Sequence, residues 1–229
     1  MLSFAFGLAS SVLNRSAQVL YRIHGLIETP EEQTWKNSYG QLHREDGPAL
    51  ITGSRKEWHE HGQLHREDGP AVESLNRIEY YKYGRRHRDD DLPAVIYKDG
   101  TQEWWEDGRL HREVGPAKIY SDGTQEFWVR GYLHREDDRP AIEYADGGKE
   151  WFFDNQHHRE NDRPALIEAD GTECWILFGN LHRDDDKPAI VYADGGKRWY
   201  RNNELHRENG PAVIHADGRE EFWESGQPI

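Results

Sequence analysis

The chain has little sulfur and little apolar content for its length. It contains one cysteine and one methionine among 229 residues, and 35% of its residues are hydrophobic. The single Cys174 excludes a disulfide within the chain and favours a reducing compartment, so we expect a cytoplasmic protein. Because ordinary globular domains are about 45–50% apolar, this composition disfavours one large core and favours a thin, extended array.

Positive charge is also scarce. The chain has 29 Lys and Arg against 43 Asp and Glu, for a formal net charge of −14. This balance disfavours nucleic acid and anionic lipid as partners, since both need clustered basic residues. It favours a basic protein partner, or simply solubility. High charge with few apolar residues is also typical of disorder, but nine Trp and eleven Tyr argue for a folded chain.

Long apolar runs are absent except at the N-terminus. Ser10, Ser11, Asn14 and Arg15 interrupt that stretch, which makes residues 1–26 too polar to span a bilayer. Its apolar residues follow roughly helical spacing: Phe6, Leu8, Ala9, Val12, Leu13, Val19, Leu20 and Ile23. We therefore predict a helical cap segment over residues 1–34 that covers the first repeat. A helix that touches a membrane and a signal sequence remain open alternatives.

The chain is rich in one motif, Leu-His-Arg followed by acidic residues and Pro-Ala. It returns every 22 to 24 residues, and its histidines are His43, His65, His87, His111, His134, His158, His182 and His206. A fixed period of this size predicts an array of small units that stack on their neighbours. A residue that occupies one position eight times is more often a building element than a catalyst.

Within one unit, two turn signals separate runs that favour strands. Asp99-Gly100 and Asp107-Gly108 are hairpin signals, because a type I′ turn needs positive φ at both central residues. The runs 95–97 and 103–105 are β-branched or aromatic. We therefore predict an all-β fold: an elongated, single-layer antiparallel β-hairpin array of about eight units over residues 35–229.

The second turn also predicts cross-strand partners. A two-residue loop at Asp107-Gly108 pairs Trp105 with Leu110. Continued outward, the register pairs two further sets of residues and repeats in the unit two periods later: Trp104 with His111, Glu103 with Arg112, Trp151 with His158 and Glu150 with Arg159. We assign these eight residues structural roles, as rungs of a repeated ladder.

Repeat length varies just before Pro-Ala. Four units carry glycine there (Gly47, Gly69, Gly115 and Gly210), and four carry one extra residue and no glycine (up to Pro93, Pro140, Pro164 and Pro188). We predict two versions of a bulge. In the short version glycine takes a left-handed backbone, and in the long version the added residue relieves that need.

This pattern resembles the MORN repeat in its bacterial and viral variant. The resemblance rests on Glu103-Trp104-x-x-Asp107-Gly108-x-Leu110-His111, then Gly115-Pro116-Ala117 and a strand that ends in Asp122-Gly123. It covers about residues 35–229, and Pro-Ala replaces the second glycine of the commonest pattern. The resemblance implies a twisted single-layer sheet that serves as a scaffold or protein-binding surface, in some cases with lipid. It also implies a role similar to antitoxin-like components.

The sequence lacks the motifs that zinc binding, kinase activity and calcium binding would require. Equivalent histidines two strands apart would be about 10 Å from each other, too far to share one zinc ion. His87-Arg88-Asp89 has the sequence of a kinase catalytic loop, but the other kinase motifs are missing. Clustered carboxylates suit calcium, yet no calcium-loop motif is present. We predict no catalytic, cofactor-binding or metal-ligating residues, and instead an acidic rim that contacts the partner: Asp90, Asp91, Asp137, Asp138, Asp185 and Asp186.

These features favour a non-enzymatic module that occludes a protein partner, with an immunity or antitoxin-like role or a role in viral counter-defence. One alternative is a scaffold that is anchored to a membrane through residues 1–26, which deletion of residues 1–30 would reveal. The other is an acidic mimic of nucleic acid, which DNA would displace from its partner. The partner's identity and the oligomeric state stay open.

Overall fold

The computed structural model describes residues 32–229, and the regular secondary structure in that range is β-strand, without a helix. The predicted all-β class is therefore confirmed for this part of the chain. The predicted helical cap lies outside the described residues. The described chain forms two compact units, residues 32–85 and 86–229. Within residues 32–229 no helix is long and apolar enough to cross a membrane.

The first unit contains five strands of an antiparallel sheet: Gln33–Thr34, Leu50–Thr52, Arg55–Glu57, Val72–Glu73 and Arg77–Glu79. Strands of this unit outside that sheet are His59–Glu60, Gln63–Leu64 and Tyr81–Lys82. The strand Arg85–Arg86 lies at the boundary between the units.

The second unit contains twelve antiparallel sheet strands: Val95–Tyr97, Gln102–Glu103, Lys118–Ile119, Gln125–Glu126, Ile142–Glu143, Lys149–Glu150, Leu166–Ile167, Glu173–Cys174, Ile190–Val191, Lys197–Arg198, Val213–Ile214 and Glu220–Glu221. Between them lie six two-stranded hairpins: Trp105–Glu106 with Arg109–Leu110, Trp128–Val129 with Tyr132–Leu133, Phe152–Phe153 with Gln156–His157, Ile176–Leu177 with Asn180–Leu181, Tyr200–Arg201 with Glu204–Leu205, and Trp223–Glu224 with Gln227–Pro228.

Each repeat in the second unit thus contributes two hairpins. The inner hairpin supplies two neighbouring strands of the sheet, and the outer hairpin forms a separate two-stranded ribbon. Trp105 pairs with Leu110 and Glu106 with Arg109, as the turn register predicts. The strand predicted over residues 103–105 is interrupted at Trp104, which is where the chain passes from the sheet into the outer hairpin.

The two turns of a repeat differ in geometry. In the outer hairpin, Asp107 and Gly108 have φ of +48° and +79°, which is the predicted type I′ turn. In the inner hairpin Gly100 is left-handed, at φ +97°, and its N–H donates to the Tyr97 carbonyl. The N–H of Thr101 is bound by the Asp99 carboxylate at 2.8 Å. The inner turn is therefore a wider loop that ends in a left-handed glycine, not a two-residue type I′ turn.

The alanine of every Pro-Ala pair is fully buried, and it joins neighbouring elements through its backbone. Ala141 accepts a hydrogen bond from the Phe127 N–H and donates one to the Glu150 carbonyl, both at 2.8 Å. Its side chain is 0% exposed and lies in an apolar cluster with Leu133 and Ile142. A residue larger than alanine would have to displace these neighbours, which explains the small residue at this position.

Candidate functional site

The arginine of seven His-Arg pairs lies over an aromatic ring. The guanidinium carbon of Arg112 is 4.0 Å from the centre of the Trp104 ring, and that of Arg159 is 3.8 Å from Trp151. The same contact recurs at Arg44–Trp35, Arg66–Trp58, Arg135–Phe127, Arg183–Trp175 and Arg207–Trp199. A guanidinium Nη atom also donates to the carbonyl of the following proline, as Arg159 does to Pro164 at 3.1 Å. The guanidinium and the aromatic ring of each pair therefore stabilise the repeat itself.

The structure does not form the expected rung between Glu103 and Arg112. Glu103 lies opposite Val95 and Lys118 in the sheet, and its carboxylate accepts from the Tyr97 hydroxyl and the Trp105 indole. The hairpin register fails beyond Trp104, because the chain leaves the outer hairpin there. Arg112 is then free to reach a different carboxylate, which lies in the preceding repeat.

Glu150 has an environment similar to that of Glu103, with two donors on one partly buried carboxylate. It accepts from the Tyr144 hydroxyl at 2.6 Å and from His157. Burial alone would raise the pKa of Glu150, but these hydrogen bonds outweigh it and hold the pKa below its usual value. At the equivalent position in the next repeat, Cys174 replaces the carboxylate. This glutamate therefore stabilises the repeat and is not paired with Arg159.

The backbones of His111 and His158 pair with the predicted aromatic residues, while their side chains contact the next outer hairpin. The His111 N–H donates to the Trp104 carbonyl, while Nδ1 accepts from the backbone N–H of Arg130 in the next turn. His158 is buried and stacks on Phe178, with ring centres 4.0 Å apart. The imidazoles therefore join consecutive repeats, which is a structural role.

The backbone geometry of the long bulges differs from the prediction. The extra residue does not relieve left-handed geometry: it introduces two left-handed residues in succession, such as Asp137 at φ +62° and Asp138 at φ +56°. In the short bulges Gly115 and Gly210 are left-handed, at φ +111° and +147°. Gly47 and Gly69 lie outside the left-handed region, and a Cβ on Gly69 would approach the Arg66 guanidinium to 2.9 Å. At these two positions glycine makes room for the arginine.

The second left-handed residue of each long bulge is an aspartate that forms a clamp on the next repeat. The Asp138 carbonyl accepts from the Trp151 indole at 3.0 Å, and its carboxylate binds Arg159 through two bonds of 2.8 Å. The same arrangement holds for Asp91 with Trp104 and Arg112, Asp162 with Trp175 and Arg183, and Asp186 with Trp199 and Arg207. We call this arrangement the aspartate clamp. It connects groups 13 and 21 residues apart.

Half of the predicted acidic rim is therefore bound by an arginine of the next repeat. Arg112, Arg159 and Arg207 hold the pKa values of three carboxyls below their usual range, chiefly by hydrogen bonding: Asp91, Asp138 and Asp186. In the other half, Asp137 and Asp185 contact Arg139 and Lys187 of their own bulges. Contact of the rim with a partner remains a prediction that concerns mainly Asp90, Asp137 and Asp185.

The clamp predicts a specific loss of stability in acid. Hydrogen bonds from Arg183 and Lys187 lower the pKa of Asp162 from 3.8 to about 2. A carboxylate with a lowered folded-state pKa stabilises the protein above its unfolded pKa, and that stabilisation is lost as the pH falls to the folded value. We expect the free energy of unfolding to fall between about pH 4 and pH 2, and less steeply in Asp162→Asn. The free energy of unfolding would be measured by urea denaturation at each pH. If it falls equally steeply with pH in the two proteins, the assignment is wrong.

Open clefts lie beside the clamps in the second unit. One of about 370 Å³ is lined by Leu92, Trp105 and Val114, among others. The equivalent clefts three and four repeats further along the chain have volumes of about 450 and 200 Å³ and include Phe178 and Tyr200 in their walls. Because they recur with the repeat, the clefts follow from the architecture.

One surface departs from the repeat pattern. The outward pair of an outer hairpin is charged in the repeats at residues 106–109 and 201–204, where Glu106 faces Arg109 and Arg201 faces Glu204. In the three consecutive hairpins between them, exposed apolar residues occupy this pair or the turn: Val129, Tyr132, Phe153, Leu177 and Phe178. We call these five residues the apolar row.

The apolar row is held in place by bonds between adjacent hairpins. The N–H of Asn155 donates to the Leu133 carbonyl at 3.2 Å, and that of Gly179 donates to the His157 carbonyl at 2.8 Å. Phe153 and Phe178 remain 50% and 52% exposed although His134 and His158 contact them. The sequence reasoning missed this surface because it examined what the repeats share. Its signal was apolar residues at positions that are charged in the other repeats.

The cysteine side chain packs within the sheet. Cys174 is buried between Leu166 and Ile190 on neighbouring strands, and burial raises the pKa of its thiol to about 11. Within residues 32–229, no three His, Cys, Asp or Glu side chains lie together in a way that could hold a metal ion.

The fold and the repeated site define a β-hairpin repeat protein. Compared with known proteins, the chain matches no family model and no curated protein.

Proposed function

We propose that this protein is a non-enzymatic binding module that occludes the surface of a protein partner. The observation that carries the proposal is the apolar row, which stays exposed on three consecutive hairpins while the equivalent flanking positions are charged. Contiguous exposed apolar residues with a polar border are typical of protein–protein interfaces. The net charge of −14 favours a basic partner and an association that salt weakens.

The chemistry of the repeat supports binding rather than catalysis. Its recurrent Arg, His, Trp and Glu side chains are engaged with one another or with the backbone, as Arg159 is with Trp151 and Asp138. A module of this kind acts by covering its partner. We extend the proposal to a MORN-like array in the cytoplasm with an immunity or antitoxin-like role, or a role in viral counter-defence, on the strength of the motif resemblance and the acidic charge.

The two alternatives have less support. An acidic mimic of nucleic acid needs a contiguous row of free carboxylates, whereas Asp91, Asp138 and Asp186 are bound to arginines. A scaffold anchored through residues 1–26 depends on a segment outside the described residues. Displacement of the partner by DNA, or loss of membrane association on deletion of residues 1–30, would favour one or the other.

The proposal predicts that partner capture depends on the apolar row. We expect the Phe153→Glu/Leu177→Glu double variant to capture at least tenfold less partner than the native protein, because two charges would be buried at the interface. Extracts of cells that make the protein would be passed over each immobilised protein, with bound proteins identified by mass spectrometry and rebound in purified form.

Val114→Glu is the matched control, since Val114 is 79% exposed in the same unit but lies outside the apolar row. It should capture the partner as the native protein does. If both variants retain the partner equally, the apolar row is not the interface and the proposed function fails.

A further inference from the structure

The spacing of the apolar row constrains the shape of what it binds. Each repeat adds two neighbouring strands to the sheet, so equivalent positions in successive repeats are about 10 Å apart. An extended polyproline II chain rises about 3.1 Å per residue and has three residues per turn, so side chains on one face recur every ~9 Å. A peptide in this conformation therefore matches the hairpin spacing with every third side chain.

We propose that the apolar row binds an extended, basic peptide segment with an apolar side chain at every third position. Three such side chains would rest on Val129, Phe153 and Leu177, which occupy the equivalent position in the three hairpins, with Tyr132 and Phe178 beside them. This inference rests on the proposed function and specifies the chemistry of the partner. Aromatic side chains are the usual platform for polyproline II segments, because such segments bind with little further loss of conformational entropy.

The length of the segment follows from the limits of the apolar row. The hairpin on one side presents Glu106 and Arg109, and the hairpin on the other presents Arg201 and Glu204. Three contacts at intervals of three residues span seven residues of peptide, so the peptide core is about seven residues long.

The basic character of the peptide follows from the cleft beside Leu177 and Phe178. This cleft of about 450 Å³ is lined by the exposed carboxylates Glu160, Asp184 and Asp185. The arginines that line the cleft are themselves bound to carboxylates.

Arg159 and Arg163 contact Asp138, and Arg183 contacts Asp162. Lys187 contacts Asp162 and Asp185 as well. Five carboxylates (Asp138, Glu160, Asp162, Asp184 and Asp185) thus face four cations, and a Lys or Arg of the peptide would complement the one negative charge that remains.

The test uses two fluorescein-labelled peptides of identical composition. One repeats Leu-Pro-Arg three times, which places leucine at every third position; residues before proline favour extended conformations. The other contains the same residues with the three leucines consecutive. Fluorescence anisotropy with the full chain should give a Kd at least tenfold lower for the periodic peptide. Phe153→Gln, which removes the apolar contact without adding charge, should raise that Kd at least tenfold, while Val114→Gln changes it less than twofold.

The outcomes separate this inference from the proposed function. Equal affinity for the two peptides, or no binding of either, overturns the inference; the proposed function stands if partner capture still depends on the apolar row. If sedimentation shows a dimer of the native protein that Phe153→Glu dissociates, the occupant is a second copy of the chain and the peptide inference is wrong. If capture and peptide binding are both insensitive to the apolar row, both fail.

Discussion

Replacement of Trp151 by alanine is expected to lower the free energy of unfolding by about 4 kcal/mol, as for other large-to-small changes of buried aromatic residues. The Trp151 side chain is 7% exposed, so the change leaves a cavity under the Arg159 guanidinium. It also removes the indole donor to the Asp138 carbonyl. One substitution thus removes packing, a cation–π contact and a hydrogen bond between repeats. Urea denaturation followed by circular dichroism measures the loss.

Trp151→Phe is the matched control for the ring. It keeps an aromatic surface beneath Arg159 but loses the indole N–H, so we expect a cost of about 1 kcal/mol. The chain contains a natural precedent at Phe127, on which Arg135 lies at 3.5 Å. If Trp151→Ala costs no more than Trp151→Phe, the ring contributes little and the stacking interpretation is wrong.

Asp138→Ala should be the most damaging change outside the apolar core, at about 3 kcal/mol. Alanine in the left-handed region costs roughly 1–2 kcal/mol, and hydrogen bonds to a charged group contribute about 1.5–3 kcal/mol each before relaxation. Asp138 has φ +56°, and the Arg159 side chain that it holds is 13% exposed. The loss would therefore leave a largely buried guanidinium without its carboxylate. Urea denaturation would again be the measurement.

Two variants separate the backbone cost from the clamp. Asp137→Ala changes a left-handed residue in the same bulge, at φ +62°, but its carboxylate is 79% exposed and its partner Arg139 is exposed too. We expect it to cost about 1 kcal/mol. Asp138→Gly also removes the carboxylate, but glycine adopts a positive φ without strain, so this variant measures the loss of the clamp alone. Equal costs for Asp137→Ala and Asp138→Ala would show that the clamp does not stabilise the array.

The sequence was sufficient to predict the local structure. The period, the strand-forming runs and the Asp107-Gly108 turn depend on residues close in the chain, and the structure confirms the register from Glu106–Arg109 to Trp105–Leu110. The predicted pair Trp104–His111 keeps one backbone bond, from the His111 N–H to the Trp104 carbonyl, but the Glu103–Arg112 rung is not formed, because the chain changes ribbons at Trp104. From there the partner of Arg112 is Asp91, 21 residues earlier, and no hairpin register predicts a contact with another repeat.

The bulge geometry and the apolar row were not predicted from the sequence, for different reasons. Two successive left-handed aspartates, as at Asp90 and Asp91, are rare, so glycine was the natural expectation for positive φ. The apolar row needed the repeats to be compared position by position. Such a comparison sets Val129, Phe153 and Leu177 against Glu106 and Arg201, but it does not reveal that they are neighbours in space.

The aspartate clamp also restricts the order in which units can follow one another. In residues 86–229, each unit after a long bulge has tryptophan at the clamped position (Trp104, Trp151, Trp175 and Trp199), and each unit after a short bulge has phenylalanine (Phe127 and Phe222). An indole without the bulge carbonyl would lose its acceptor, and a bulge carbonyl without an indole would lose its donor. Repeats within residues 86–229 cannot be exchanged freely by recombination or in engineered arrays: a compatible junction must carry the bulge and the ring together.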